Sequence, residues 1–183
     1  MEIVIAKNAG FCFGVKRATD SLEDTIAKSG GKERIYTLGA LIHNDTYNAW
    51  LESCGVKVAS IDEVEALAQS ATADSPVCVF IRAHGIPRQH EQLLCECAAK
   101  NSHFRYVDCT CPYVKKIHRI AAEHSKEENI LLLLGGSEHP EVVGSPFCFA
   151  GLKTSTSSPT IALKIAFALV KGEVNPSGLL SLS

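Results

Sequence analysis

Val77-Cys78-Val79-Phe80-Ile81 contains no polar position, and a strand of that composition has to be covered on both faces, as the strands of a parallel sheet are. The surrounding segments offer the covers. Short apolar runs alternate with stretches of helical spacing along most of the chain, the pattern of parallel strands joined by right-handed crossovers. Strands are expected at Ile3-Val4-Ile5, Arg34–Leu38, Val56–Val58, Val77–Ile81, Phe104–Val107 and Ile130–Leu134. The first helix is expected over Val15–Lys28, with Val15, Ala18, Leu22 and Ile26 on one face and Gly30-Gly31 ending it. Asn44 suits the N-cap of a second helix that Gly55 closes. Further helices are expected over Ile61–Gln69, from Pro87 to Lys100, and from Pro112 to Glu127.

The fold class implied is α/β: two successive small lobes with parallel sheets flanked by helices, dividing near residues 98–103. The domain reading is a first lobe over 1–100, an incomplete second lobe over 101–150, and an atypical tail over 151–183. Within the tail, Gly151–Pro159 is rich in Ser and Thr and reads as a loop or linker, and Thr160–Lys171 as one more apolar helix, too short to span a membrane.

With 183 residues, 46% of them hydrophobic and 21% charged, the chain is long enough to bury a real core and has a globular composition. No run of about 18 apolar residues argues for a membrane span. Acidic Glu2 and a short strand stand where a signal peptide would need basic and then apolar residues, so a cytoplasmic location is expected. A net charge of −2 gives no general attraction to nucleic acid or to an anionic membrane, so any phosphate binding must come from local groups. Eight cysteines in such a chain point to metal or redox use of a subset rather than to a disulfide framework. Cys54 and Cys78 read as small buried hydrophobes, and Cys95 and Cys97, in mid-helix, as packing residues.

Ligand-type residues fall in particular places. Cys12, His43, His84, Cys111 and the pair His139/Glu141 each lie within a few residues of the carboxyl end of an expected strand. In open α/β sheets that is where ligands bind. Cysteine thiolates hold iron–sulfur clusters, with ligands that can lie far apart in sequence. Cys12 sits between glycines and Cys111 before Pro112, which fixes the backbone around each. Cys109 lies two residues before Cys111, and the spacing alone does not say which of the two binds. A cysteine taken singly is more often a buried packing residue than a ligand. His43, His84 and His139 can donate hydrogen bonds to phosphate oxygens or move protons, although a single loop histidine is more often a surface or capping group. Glu141 suits a general acid, or else a carboxylate in the first turn of a helix.

Taken together, Gly10-Phe11-Cys12-Phe13-Gly14-Val15 with Arg17-Ala18, Leu41-Ile42-His43-Asn44, Arg82-Ala83-His84-Gly85, Asp108-Cys109-Thr110-Cys111-Pro112-Tyr113-Val114 and His139-Pro140-Glu141-Val142 with Gly144 resemble the family of 4-hydroxy-3-methylbut-2-enyl diphosphate reductase, also called IspH or LytB. The resemblance covers residues 1–145. It implies an oxidoreductase of non-mevalonate isoprenoid precursor synthesis with a [4Fe–4S] cluster held by three cysteines among three similar lobes. Its substrate is a small diphosphate whose hydroxyl is removed as water, giving isopentenyl and dimethylallyl diphosphate. Electrons come from a donor such as ferredoxin or flavodoxin, and neither nucleic acid nor membrane is a partner. The resemblance makes Cys12 and Cys111 two of the cluster ligands, His43, His84 and His139 the diphosphate contacts, and Glu141 the proton source or relay.

The chain also departs from the family. The third cluster cysteine, a Ser-x-Asn-Ser stretch and the Thr-Thr pair before it have no counterpart here, and Cys148 lies in a different context, Ser145-Pro146-Phe147-Cys148-Phe149. A two-cysteine site is expected to hold a cluster poorly. The alternative reading is therefore a non-catalytic remnant or binding domain that keeps the fold and loosely binds metal or diphosphate. A weaker one is a thiol or zinc protein using Cys109 and Cys111, which leaves the histidine loops unexplained.

Overall fold

The computed structural model describes residues 3–4, 9–42, 44–124, 130–134 and 152–156. The helices are α1 (Phe13–Ser29), α2 (Asp45–Ser53), α3 (Val64–Gln69, entered through a 3₁₀ turn at Ile61–Glu63), α4 (Arg88–Lys100) and α5 (Pro112–Glu123). The strands are β1 (Arg34–Leu38), β2 (Lys57–Ala59), β3 (Val77–Ile81), β4 (Phe104–Asp108), β5 (Ile130–Leu134) and β6 (Leu152–Thr156). They fall into two units, residues 1–83 with 93–112 and residues 84–92 with 113–183.

The first unit is built on a sheet ordered β2-β1-β3-β4, with every neighbouring pair parallel. β3 lies inside it and is buried at all five positions, as its unbroken apolar composition demands. The pleat sends alternate side chains to opposite faces. Cys78 and Phe80 share one cluster with Ala18 and Leu22 of α1, Ile35 of β1 and Leu51 of α2, with Val15 and Ile26 packed against it. The expected apolar face of α1 is thus the face that packs. Gly30 ends α1 in the left-handed conformation (φ 55°) that glycine adopts without penalty. Asn44 caps α2, its side chain accepting a hydrogen bond from the Tyr47 amide at 2.9 Å.

Three expectations are corrected. Residues 3 and 4 are in no strand, and Ile3 and Val4 are 77% and 81% exposed; β-branched composition favours a pleated surface, but a pairing partner decides. Residues 152–156 are not linker: β6 pairs in parallel with β5, from Ile130 opposite Leu152 to Leu134 opposite Thr156. Threonine is β-branched, and beside a partner strand made only of isoleucine and leucine its strand preference prevails over the Ser/Thr-rich look of a loop. Cys54 is exposed rather than buried, because it is the C-cap of α2 and lies off the helix's packed face.

β4, expected to open a second lobe after a division at 98–103, is hydrogen-bonded to β3 along its whole length. Its first residue, Phe104, is fully buried and ties it to this core. The expected helix over 160–171, and the residues after 124 in the helix expected to reach 127, lie outside the described residues.

Candidate functional site

The first unit carries one thiol at the start of α1 and another beyond the carboxyl end of β4, and the first turn of α1 is where the second approaches the helix. Cys12 is the N-cap of α1, with extended backbone (φ −62°, ψ 162°) and an exposed side chain. Its carbonyl accepts the Lys16 amide at 2.9 Å, which starts the helix. The first amides of a helix have no partner inside it, so an anionic group is favoured there.

Cys111 arrives by another route. Beyond β4 the chain keeps pairing with the continuation of β3: the Cys109 amide donates to the Ile81 carbonyl at 3.1 Å and the Cys111 amide to the Ala83 carbonyl at 2.8 Å. Asp108 braces the turn, its Oδ1 accepting the Thr110 amide at 2.8 Å. Arg17, one turn into α1, then donates from Nη2 to the Thr110 carbonyl at 2.6 Å. This charge-assisted bond fixes the residue before Cys111 to the helix that begins at Cys12.

Gly14 shows how close the approach is. A Cβ added there would lie 2.6 Å from Cys111 Sγ and 3.0 Å from its Cβ, so only glycine admits the cysteine over the first turn of α1. The same geometry separates the two members of the C-x-C pair. Cys109 is buried and belongs to the apolar cluster of α1, β1 and β3, whereas Cys111 is part-exposed at the helix N-terminus. Cys78 is a packing residue as expected, and burial pushes its thiol up to about 12. A neutral thiol in an apolar core is not a ligand. Cys97 is buried on α4, and Cys95 on the same helix is exposed, its Sγ 2.9 Å from the Tyr106 hydroxyl.

His84 lies three residues beyond the end of β3, half-buried and followed by Gly85 with φ 76°. His43, His139 and Glu141 lie outside the described residues, as does Cys148. Among the described residues no group of three or more His, Cys, Asp or Glu side chains is arranged to hold a metal ion. The donor set fits an iron–sulfur cluster in kind, since both side chains are cysteines at an anion-favouring helix end, and would give such a cluster two ligands. Reading the motifs singled out both cysteines. Arg17 stands inside a quoted motif, but its hydrogen bond to a backbone carbonyl 93 residues away leaves no local signal, whereas the bond from the Thr110 amide to Asp108 is a local one that an Asp two residues ahead could have suggested. No helix of the described residues is long and apolar enough to cross a membrane.

The class these features define is a parallel α/β protein that presents two thiols at the carboxyl end of its sheet. The chain belongs to the LytB protein family, whose model matches residues 3–150. It is 37% identical over 145 residues to 4-hydroxy-3-methylbut-2-enyl diphosphate reductase of Aquifex aeolicus, with 79% of this chain and 45% of that protein covered. To the protein of the same name from Clostridioides difficile it is 40% identical over 144 residues, with 79% and 46% covered. The chain thus spans about half the length of the curated relatives it matches. Among solved structures it is similar to an (E)-4-hydroxy-3-methyl-but-2-enyl diphosphate reductase described as the terminal enzyme of the non-mevalonate pathway. That match has a TM-score of 0.63 and 34% identity, and covers 88% of this chain and 54% of the other. The corresponding reductase of Plasmodium falciparum gives a TM-score of 0.67 at 25% identity, with 86% and 45% covered.

Proposed function

We propose that this chain provides the amino-terminal part of the centre of a 4-hydroxy-3-methylbut-2-enyl diphosphate reductase, with Cys12 and Cys111 as two ligands of a [4Fe–4S] cluster. The observation that carries the reading is the closeness of Cys111 to Gly14, at the helix start that Cys12 caps. When bound, such a cluster supplies a Lewis-acidic iron for the substrate hydroxyl and passes on electrons.

The chain's own residues then have to orient and protonate. His43, His84 and His139 are assigned to the diphosphate, as donors whose charge can adjust near neutral pH. Glu141 is assigned to deliver a proton to the departing hydroxyl. The reaction balances with the carbon–oxygen bond broken, two electrons taken from an external donor such as ferredoxin or flavodoxin, two protons consumed and water released. A third ligand is needed beyond the two cysteines described.

The test is anaerobic reconstitution of the purified chain with iron and sulfide, followed by iron and acid-labile sulfide analysis and a visible spectrum. The expected result is a cluster chromophore that a chelator removes readily, as two protein ligands imply. A folded chain that takes up neither iron nor sulfide would overturn the reductase reading and leave the binding-domain reading in its place.

A further inference from the structure

We infer that Arg82 is an anion-binding residue for the substrate's diphosphate, an inference that rests on the diphosphate reading above and adds a contact to it. The strand order β2-β1-β3-β4 means that the sheet grows one way from β1 to β2 and the other way from β3 to β4. The order therefore reverses between β1 and β3, and the loops leaving those two strands part to either side. A crevice at such a reversal is where open α/β sheets bind ligands.

Two residues stand directly at that point. Gly39 is the first residue after β1 and Arg82 the first after β3. Gly39 has φ 71°, and a Cβ built on it would lie 3.4 Å from Arg82 Nη1 and 3.9 Å from Cζ. The guanidinium thus reaches from the end of β3 across to the end of β1. In the sequence, two of the histidines assigned to the diphosphate follow these positions closely: His43 is four residues beyond Gly39 and His84 two beyond Arg82.

The hydrogen bonding of Arg82 sets it apart from the other arginines of this unit. Arg17, Arg34 and Arg82 each have a buried Nε without a hydrogen-bond partner. Arg17 is nonetheless anchored through Nη2 to the Thr110 carbonyl, and Arg34 through Nη2 to Ser70 and Ser75. Arg82 has no such anchor among the described residues, and no carboxylate there pairs with it. A guanidinium stays charged, and a half-buried one without compensation is held at a cost that a bound anion removes. Its planar fork matches two phosphate oxygens at once. In a chain of net charge −2 this local cation is also what a diphosphate site needs.

The experiment is calorimetric titration of inorganic pyrophosphate into the full chain at low salt, for the wild type, Arg82→Gln, Arg82→Lys and His84→Asn. Wild type is expected to bind, and Arg82→Gln to bind about 10- to 100-fold more weakly, the effect of one lost charge-assisted pair. Arg82→Lys is expected to fall between them, because it keeps the charge and loses the fork. Thermal melts without ligand should show Arg82→Gln at least as stable as wild type, since an uncompensated charge has been removed; if it fails to fold, Arg82→Lys carries the comparison. Unchanged pyrophosphate affinity in both Arg82 variants, with binding lost in His84→Asn, would overturn the role of Arg82 and leave the diphosphate reading standing. No binding by the wild type would instead overturn the diphosphate reading itself.

Discussion

Gly14→Ala is expected to abolish cluster assembly while changing the stability of the chain only modestly. The two consequences separate because they have different causes. Alanine is the better helix residue by about 1 kcal/mol, which favours the variant in α1. Against that stands overpacking, which costs about 1–3 kcal/mol when a methyl group is forced into a filled space. The new Cβ would lie 2.6 Å from Cys111 Sγ and 3.0 Å from Cys111 Cβ, so turning the thiol alone does not relieve the clash. Cys111 has to move away from the first turn of α1, and the geometry that joins it to Cys12 goes with it. Urea unfolding should therefore show a net loss of less than about 2 kcal/mol, beside an iron content after reconstitution that falls to background. Wild-type iron content in Gly14→Ala would show that Cys111 is not held over α1 when the cluster forms.

Phe80→Ala should remove a large part of the stability of the first unit. Phe80 is completely buried in β3, which is paired on both sides, and it belongs to the cluster shared by α1, β1 and α2. Truncation of a buried phenylalanine costs about 3–5 kcal/mol, from lost transfer energy and the cavity left behind. Against a total of about 5–15 kcal/mol for an ordinary domain, that is about a fifth or more of what holds the fold. Denaturant titration followed by far-UV circular dichroism should show the midpoint shifted sharply down. A shift corresponding to less than about 1 kcal/mol would mean that β3 is not the centre of the core.

The reason Phe80 could be singled out is also the reason so much of the first unit is legible from its residues. β1 and β3 lie where their composition places them, and the Val15, Ala18, Leu22, Ile26 face of α1 packs as its spacing requires. Those features are local: a period, a cap or a glycine acts within a few residues. What was misread depends on partners far away in the chain. Ile3-Val4 carries a strand pattern but is not in a strand, while Leu152–Thr156 lacks one in appearance and pairs along all of β5. The membership of β4 in the first sheet is of the same kind, set by pairing with β3.

The site divides in the same way. A cysteine between glycines or just before a proline is visible in a sequence, so Cys12 and Cys111 could be named. Spacing leaves Cys109 and Cys111 open and the resemblance picks Cys111; the structure adds a physical difference, because on an extended segment both face the same way and only the neighbours differ. Cys109 meets apolar side chains, and Cys111 meets Gly14. Arg82 was visible only as part of a motif with His84, and its position at the reversal of strand order depends on the topology of the sheet.

The most direct measurement is iron bound per chain after anaerobic reconstitution of Cys12→Ser, Cys111→Ser and Cys109→Ser beside the wild type. Iron and the visible chromophore should be lost in Cys12→Ser and in Cys111→Ser. Cys109→Ser should keep both, and melt at a lower temperature because a hydroxyl replaces a thiol in the apolar core. Loss of the cluster in Cys109→Ser with its retention in Cys111→Ser would contradict the assignment of the site.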